Sequence, residues 1–385
     1  MTGTTAGTRP DEARRHNRTA LLRRLHVDGP CTRAALAGEL GLNRSTIKAL
    51  VDGLAASGIV QERVPMVRTG AGRPSLLVLP QPLAAVVLAV DIRVDRVSTA
   101  LVGLGGQVLG RDGWNLRGRA GEPTEVVTRV VESTRVLTEE LGSRVVSAGV
   151  SVPGVVRRLD GYVHEAPNLG WTDVPLGHRL TTALGAPARV GNDAELAALA
   201  EHLRGAARGA RDAVYLSADI GVGGGVISGG SALRGTAGYV GELGHMVVNP
   251  AGAACYCGSR GCWETEVGEQ ALRRALDLPA HSPRGAVVAE LRLPAAPARL
   301  AEFTGWLAAG LVTVVNVFAP ELVVLGDLFT ALPRSVVAEV AAAVAERSLV
   351  SRALGGTDLR VSTLGADAKL LGAAELAFEP VLDTV

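Results

Sequence analysis

The chain has 385 residues, 47% of them hydrophobic and only 3% aromatic, so it is long enough for two or three domains whose cores rely on Val, Leu and Ala. The segment after Met1 is polar and basic, which argues against a secretory signal. No uninterrupted apolar run reaches about 18 residues. We therefore expect no membrane span and predict a cytoplasmic protein with reduced thiols.

The formal net charge of +1 conceals a basic N-terminal part. Residues 1–80 contain 12 Arg and Lys against 6 Asp and Glu, whereas the rest of the chain contains 27 against 32. A small basic segment on a larger, mildly acidic body indicates a nucleic-acid-binding module joined to a second unit. Charge alone leaves open a basic terminus that is merely solvated.

The N-terminal part has the pattern of three short helices. The first has an apolar stripe over residues 14–27, the second follows the potential N-cap Thr32, and the third runs over residues 44–57. Two helices across a glycine turn, with polar and basic residues opening the second, are typical of a helix-turn-helix. The residues predicted to reach base edges are Asn43, Arg44, Ser45, Thr46 and Lys48. A bundle without a DNA role would have the same stripe but would not need these groups together.

A wing is predicted after these helices. Residues 59–64 and 76–79 are typical of two strands, and the loop between them, residues 68–74, is basic and rich in glycine. Arg73 on this loop could enter a minor groove, whose negative potential favours arginine. We therefore predict a winged helix-turn-helix DNA-binding domain over residues 1–80, closed by a stiff linker at Pro80-Gln81-Pro82.

The body alternates strands and helices twice. Strands are predicted over residues 84–91, 97–102, 107–109, 144–152, 213–218, 322–325 and 359–364. Helices are predicted over residues 124–141, 194–204, 301–318, 336–347 and 367–378. This order predicts an α/β fold with two lobes around a cleft. The first lobe is expected over residues 83–190, completed by the C-terminal helix 366–380, and the second over residues 191–365.

Two segments of the body bring polar residues to places where strands end. Asn168 lies in a segment, residues 162–171, that we interpret as a polar loop, and Asn192 and Asp193 precede a helix. Either of the latter two could be only the N-cap of that helix. A carboxylate there could also act as a general base or accept hydrogen bonds from a ligand hydroxyl.

Residues 241–264 contain three of the four cysteines of the chain. Cys255, Cys257 and Cys262 lie within eight positions, and His245 lies ten residues before the first of them. Three thiols and an imidazole are a complete ligand set for tetrahedral zinc. A disulfide would leave one thiol over and is disfavoured in a chain without a secretory signal, and chance clustering is the other alternative. We predict one structural zinc ion per chain. Such an ion does not explain the glutamates that flank the cluster, Glu242 and Glu264.

These motifs resemble the repressor/open-reading-frame/kinase (ROK) family of sugar kinases and sugar-responsive regulators. The resemblance covers almost the whole chain and depends on GELGH at 241–245, CYCGSRGCWE at 255–264, Asn192-Asp193-Ala194 and Pro167-Asn168-Leu169. It implies a two-lobed actin-like ATPase fold of the sugar-kinase type behind the winged helix-turn-helix. It also implies zinc ligands at His245, Cys255, Cys257 and Cys262. The sugar site that it implies is lined by Asn168, Asn192, Asp193, Glu242, His245 and Glu264.

The chain departs from the kinases of the family at both phosphate loops. Those kinases carry Asp-x-Gly-Gly-Thr after the first strand, where this chain has Asp91-Ile92-Arg93-Val94-Asp95. They carry Gly-Thr-Gly at the second loop, where this chain has Asp219-Ile220-Gly221. A carboxylate about 4 Å from a phosphate oxygen is repelled by roughly 4 kcal/mol at an effective dielectric constant near 20. The phosphate sites are therefore predicted to be lost, and Asp193 to remain as a hydrogen-bond acceptor.

Together these features predict a sugar-responsive transcriptional repressor that binds operator DNA and a sugar or sugar derivative without phosphorylating it. A homodimer or homotetramer is expected, because winged helices usually contact two half-sites. The alternatives are an active sugar kinase with a DNA-binding head and a DNA-binding protein with a vestigial body. The sequence identifies neither the sugar nor the operator.

Overall fold

The computed structural model describes residues 10–64, 76–116 and 121–384. The N-terminal part up to Pro80, here called the head, contains α1 (Pro10–Asp28), β1 (Cys31–Thr32), α2 (Arg33–Leu40), α3 (Arg44–Ala56), β2 (Val60–Arg63) and β3 (Leu77–Pro80). Its strands form an antiparallel sheet in the order β1-β3-β2. Three helices followed by a β-hairpin are the predicted winged helix-turn-helix arrangement. The predicted basic loop with Arg73 lies outside the described residues.

Local signals fix both helices of the turn. Thr32 caps α2, since its hydroxyl accepts the N–H of Ala35 at 3.2 Å. Gly41 ends α2 at a φ of 64°, a left-handed conformation that glycine adopts at little cost. Asn43 caps α3 by accepting the N–H of Thr46 at 2.8 Å. The buried face of α3 consists of the predicted residues Ile47, Leu50, Val51 and Leu54.

The rest of the chain, here called the body, forms two lobes. The first contains β4 (Val86–Ile92), β5 (Arg96–Gly103), β6 (Val108–Asn115), α4 (Pro123–Leu141), β7 (Val145–Val152), β8 (Val155–Arg157), β9 (Tyr162–Ala166), β10 (Trp171–Val174), α5 (Leu176–Leu184) and β11 (Ala188–Asn192). The second continues with α6 (Asp193–Arg204), β12 (Ala213–Ala218), β13 (Val222–Ser228), β14 (Ser231–Ala232), α7 (Trp263–Val267), α8 (Glu269–Ala275), α9 (Arg284–Leu291), α10 (Ala296–Arg299), α11 (Ala301–Phe318), β15 (Leu322–Asp327), α12 (Arg334–Arg347), α13 (Leu349–Leu354), β16 (Asp358–Val361) and α14 (Ala368–Thr384). Short 3₁₀ turns occur at Pro82–Ala84, Thr236–Gly238, Leu243–His245, Leu328–Ala331 and Gly365–Asp367.

The main sheets of the two lobes have the same plan. The first has the strand order β6-β5-β4-β7-β11, and the second has the order β14-β13-β12-β15-β16. In each, the central strand pairs antiparallel with the next strand in sequence and parallel with the strand that returns after a helical crossover. The predicted repetition of the body is therefore confirmed. The carboxyl ends of β4 and β12 both face the cleft between the lobes.

One loop prediction was wrong, and one predicted strand was too short. Residues 162–171, predicted as a loop, contain β9, whose Val163 and Ala166 are buried while the residues between them are polar and partly exposed. Pairing with β8 and β10 in a small antiparallel sheet holds this short strand. The strand predicted over residues 107–109 continues to Asn115, because it pairs along the whole of β5.

Helices α6 and α14 lie together between the two main sheets. The first packs on β12 and β13, and the second on β4 and β7, and they contact each other along their length. A Cβ atom on Gly372 of α14 would lie 1.9 Å from the carbonyl oxygen of Leu196 on α6. One on Gly149 of β7 would lie 1.8 Å from the carbonyl oxygen of Ala373. These glycines let α14 approach its neighbours more closely than any side chain would permit.

The core of the head continues into the body. Leu21 and Leu25 of α1 are fully buried in the same hydrophobic cluster as Phe378 and Leu382 of α14. The head therefore shares a face with the C-terminal helix and is not held by the linker alone.

Helix α11 is long and apolar enough to span a membrane by length and composition, with a mean hydropathy of 1.4 over 18 residues, although polar residues interrupt its apolar sequence. Length and composition alone are weak evidence, because buried core helices share both properties. Leu307, Leu311 and Val314 of α11 are buried in the core of the second lobe, where the helix packs on α7 and α12. Its apolar character is thus explained by this packing.

Candidate functional site

A cavity opens between the lobes at the carboxyl ends of β4 and β12, the usual place for ligands in open α/β sheets. It contains about 680 Å³ of empty space, counting the part that is open to solvent. All residues of the predicted sugar set line it: Asn168, Asn192, Asp193, Glu242, His245 and Glu264. The fold thus brings together residues that are up to 96 positions apart in the sequence.

Asn192 and Asp193 stand where β11 passes into α6. The Asn192 side-chain oxygen accepts the N–H groups of Ala194 at 2.9 Å and Glu195 at 3.1 Å, and its amide nitrogen donates to Gly154 O at 3.0 Å. The Asn192 side chain is therefore the N-cap of α6. The cap fixes the first turn of α6 and so orients Asp193 toward the cavity.

His245 lies between the two flanking glutamates. Its Nε2 atom is 3.8 Å from Glu242 Oε2, and its Nδ1 atom is 3.9 Å from Glu264 Oε1. Reduced hydration in the cavity raises the pKa of Glu242 even though half of its side chain remains accessible, and the negative charges of Asp193 and Glu264 act in the same direction. The glutamates therefore face the cavity beside the predicted metal ligands.

Tyr256 is a cavity residue that the sequence interpretation missed. Its hydroxyl lies 3.0 Å from His245 Nε2. The ring lines the cavity, although the residue as a whole is 59% exposed. The only signal in the sequence was its place between Cys255 and Cys257, which holds it beside the cluster.

His245, Cys255, Cys257 and Cys262 form the predicted ligand cluster, with all four candidate ligand atoms within 4.8 Å of one another. The Cys257 and Cys262 sulfurs are 3.6 Å apart, and Cys255 Sγ is 3.6 Å from His245 Nδ1. Ligands on a tetrahedral zinc ion at about 2.3 Å would be roughly 3.8 Å apart, so the donor set fits this metal. All four cysteines of the chain are free thiols in the structure, which disagrees with the disulfide alternative.

The backbone around the cluster depends on glycine. Gly258 has a φ of 90° and Gly261 a φ of 69°, both in the left-handed region. A Cβ atom on Gly261 would lie 1.5 Å from Asn249 O, so no other residue fits there. Bridges pair Val247 with Cys262 and Ala254 with Arg260, and the loop therefore closes tightly on itself.

Lys369 is a second residue that the sequence interpretation missed. Its ammonium lies 2.6 Å from Asp193 Oδ2 and 3.1 Å from one oxygen each of Asp219 and Asp327. The side chain is 1% exposed. Burial alone would lower the pKa of Lys369, but the three carboxylates raise it well above its ordinary value, so the group is charged. The signal in the sequence was that Lys369, one of only two lysines in the chain, lies in a largely apolar helix.

Arg93, which is buried, and Arg284, which is partly exposed, complete this ionic network. Arg93 donates to Asp91 at 2.7 Å and lies 3.5 Å from Asp327, so it joins the two lobes. Arg284 pairs with Asp219 and with Glu269. Burial acts to raise the pKa of Asp219, but the charges of Lys369 and Arg284 hold it below its ordinary value. Three cations thus face five carboxylates, and each cation is already paired within the protein.

The predicted DNA-contacting residues lie at the start of α3, where Asn43, Arg44, Ser45 and Lys48 are exposed and Thr46 is partly buried. The Asn43 side-chain oxygen caps the helix by accepting from the Ser45 hydroxyl and the Thr46 N–H. Lys48 forms an ion pair with Asp52 at 2.6 Å. Arg44 has neither a hydrogen bond nor an ion pair from its side chain within the described part of the chain, and it projects from the first turn.

Residues 87–379 match the ROK family. The chain belongs to the ROK family. It is 29% identical to the xylose repressor of Bacillus spizizenii over 376 residues, which are 96% of this chain and 96% of that repressor. Among solved structures, a ROK family transcriptional regulator, a homologue of the E. coli MLC protein, superposes with a TM-score of 0.77 and 25% identity, covering 96% of this chain and 97% of the regulator.

A ROK glucokinase matches a smaller part of the chain. The enzyme from Streptomyces griseus, solved with glucose and AMPPNP, has a TM-score of 0.66 and 26% identity. The match covers 99% of the enzyme but only 76% of this chain. The ROK regulators therefore share both head and body with this chain, whereas the extent of the kinase match corresponds to a body without a head.

Proposed function

We propose that the protein is a transcriptional regulator that binds operator DNA through its head and a sugar through the cavity of its body, without phosphorylating the sugar. The observation that carries this proposal is the pairing of Asp193 with the buried ammonium of Lys369 in a cavity lined by all the predicted sugar residues. The full-length likeness to a xylose repressor supports the regulatory assignment and makes D-xylose the first effector to test. We place its action in the cytoplasm, on operator DNA.

The cavity has the chemistry of a polyol site. Sugar hydroxyls both donate and accept hydrogen bonds, and carboxylates pointing into a cavity can accept from several of them. Asp193, Glu242 and Glu264 supply such acceptors, and Asn168 adds an amide. A ligand that lacks one hydroxyl would leave a buried group unpaired at a cost of about 1–3 kcal/mol, which would provide specificity.

Phosphoryl transfer is disfavoured by the same geometry. A general base must be free to take a proton from the attacking hydroxyl, but Asp193 is held at 2.6 Å by a permanent cation. Arg93, Lys369 and Arg284 are each paired with carboxylates, so none of these three is available to neutralise a triphosphate. Asp219 adds negative charge where such a group would lie.

A zinc ion bound by His245, Cys255, Cys257 and Cys262 would stabilise the loop beside the cavity. Zinc would supply a cross-link between thiolates and imidazole. The residues of the loop then determine the cavity wall: Glu264 follows Cys262 by two positions, and Glu242 precedes His245 by three. Holding the ligands in place would therefore hold both glutamates toward the sugar.

We infer that at least two copies of the chain act together on DNA, since helix-turn-helix proteins commonly read two half-sites through two-fold symmetry. Arg44 at the start of α3 is the side chain best placed to reach a base or a phosphate. The sugar can change operator affinity only to the extent that it binds more tightly to one arrangement of the heads than to the other.

The test begins with duplex DNA selected from a random-sequence pool on the full-length protein. Binding of the selected fragment, here called the operator fragment, is then titrated by fluorescence anisotropy with D-xylose, D-glucose and N-acetylglucosamine. The expected result is a change in affinity of at least fivefold with one of these sugars and no ADP release in the presence of ATP. Failure to select any DNA, or steady ADP release that depends on a hexose, would overturn the proposal.

A further inference from the structure

A buried polar cluster lies where the head meets the body. His26 of α1 is fully buried, and its Nε2 atom lies 3.1 Å from Glu375 Oε2 on α14. Arg204, the last residue of α6, donates to Glu375 Oε1 at 2.6 Å and to the His26 carbonyl oxygen at 3.1 Å. These three residues, here called the junction, connect the head with both central helices of the body.

Both ring nitrogens of His26 are engaged in the junction. The backbone N–H of Gly105 donates to Nδ1 at 2.9 Å, and Nε2 lies 2.9 Å from a guanidinium nitrogen of Arg204 and 3.1 Å from Glu375 Oε2. Burial acts to raise the pKa of Glu375, but the hydrogen bond from His26 and the charge of Arg204 hold it below its ordinary value. The carboxylate is ionised and receives donors from the head and from the body.

The same two helices are joined again at the cavity. Asp193 is the first residue of α6 and Lys369 the second of α14, and these two form the shortest ion pair of Lys369. Both helices run from the cavity toward the head, with ion pairs at Asp193–Lys369 and at Arg204–Glu375. Between these pairs, Gly372 lies directly against the backbone of Leu196. Close packing of this kind transmits a displacement of one helix to the other.

We propose that α6 and α14 form one rigid unit that transmits the state of the cavity to the DNA-binding head through the junction. This inference rests on the proposed function, because it assigns the route by which sugar binding acts on DNA binding. A sugar hydroxyl bound to Asp193 competes with Lys369 for the same carboxylate and shifts the cavity end of the unit. The junction then changes the orientation of α1. His26 of this helix packs against Phe378, with the two ring centroids 4.3 Å apart.

The polar character of the junction supports a role in orientation rather than in adhesion. Leucine and phenylalanine side chains already hold the head on α14, and additional apolar residues would do so without burying a carboxylate. A directional set of hydrogen bonds instead fixes one orientation and can change to another as a unit. Coupling between sites requires such a bistable element.

The test compares how a sugar changes the affinity for the operator fragment in matched variants. Glu375→Gln keeps the shape of the side chain but removes the charge that binds Arg204. Asp383→Asn is the control, because Asp383 lies on the same helix and pairs with Arg23 of the same head helix at 3.0 Å, but in an exposed position. For each protein, the operator dissociation constant is measured with and without saturating sugar, and sugar binding is measured separately by calorimetry.

In the wild-type protein, the operator dissociation constants with and without sugar should differ by at least fivefold. In Glu375→Gln, they should differ by less than twofold. Sugar binding without DNA should change by less than threefold in this variant, and Asp383→Asn should keep the wild-type ratio. A wild-type ratio in Glu375→Gln, or an equal loss in both variants, would overturn the junction. Arg204→Lys repeats the test with the charge retained if Glu375→Gln does not fold. A ratio of one in the wild-type protein would instead refute the proposed function.

Discussion

The ammonium of Lys369 and the carboxylate of Asp193 lie 2.6 Å apart, and the two residues begin the two helices that fill the centre of the molecule. A lysine that is 1% exposed persists because three carboxylates surround it. In the proposed function, this pairing keeps the Asp193 carboxylate from acting as a free general base.

Lys369→Met should lower the free energy of unfolding by about 3–5 kcal/mol, because it leaves Asp193, Asp219 and Asp327 buried without their shared cation. Urea-induced unfolding followed by circular dichroism measures the change. Lys48→Met is a matched control, since the only other lysine is 70% exposed and forms a solvent-exposed i,i+4 pair with Asp52, which contributes little to stability. Equal effects of the two substitutions would contradict the structural role of Lys369.

The sequence was sufficient to predict elements whose signals are local. Thr32 precedes an apolar stripe at helical spacing, and it caps α2 as predicted. The zinc-ligand cluster was predictable for the same reason, because three of its four members lie within eight positions. In such cases short-range geometry alone places the side chains together.

The ionic network and the junction could not be predicted in this way. The partners of Lys369 are 42, 150 and 176 positions away from it, so their meeting depends on how the two lobes close. A charged residue in an apolar helix indicates that a partner exists, but not which one. Strand β9 was missed for a related reason: its outward residues are polar, and only its neighbours β8 and β10 make it a strand.

Asp193→Asn should weaken sugar binding by about 1.5–3 kcal/mol, a factor of roughly 10–150, because it removes a charged hydrogen-bond acceptor from the cavity. Isothermal titration calorimetry with the effector sugar measures this loss. Asp160→Asn serves as the control, since Asp160 pairs with Arg157 on the surface outside the cavity. If the Asp193 variant bound the sugar as tightly as the wild-type protein, the assignment of this carboxylate would be wrong.

Removal of zinc should abolish the response of operator binding to sugar before it abolishes the fold. Cys257→Ser is expected to reduce the zinc content from one ion per chain to nearly none, because a closed structural site needs all four ligands. Cys31→Ser should leave the content at one, since this buried cysteine lies in the head, far from the cluster. Metal analysis and anisotropy on the same samples test both statements, and a normal sugar response from metal-free protein would refute the link.

Glu195 should make stability depend on pH. Burial raises its pKa to about 7, from about 4.5 in the unfolded chain, although the charge of Arg158 acts in the opposite direction. The native state therefore binds more protons than the unfolded state between these values, so stability decreases as pH rises from about 4.5 to 7 and then levels off. Glu195→Gln cannot ionise, and its stability relative to the wild-type protein should increase by about 2–3 kcal/mol between pH 5 and pH 8. Urea unfolding at the two pH values measures this, and an unchanged difference would disprove it.

Arg44→Ala should weaken binding of the operator fragment by about 1–3 kcal/mol, because the guanidinium projects from the first turn of α3, the part of a recognition helix that enters the major groove. Anisotropy titrations at several salt concentrations distinguish two kinds of contact. A phosphate contact would lower the slope of log affinity against log salt by about 1 and weaken all sequences alike, whereas a base contact would relax preference at one position. Arg135→Ala is the control, since Arg135 pairs with Glu139 on an exposed face of α4 in the body. Equal affinities of the Arg44 variant and this control would show that α3 does not face the DNA through Arg44.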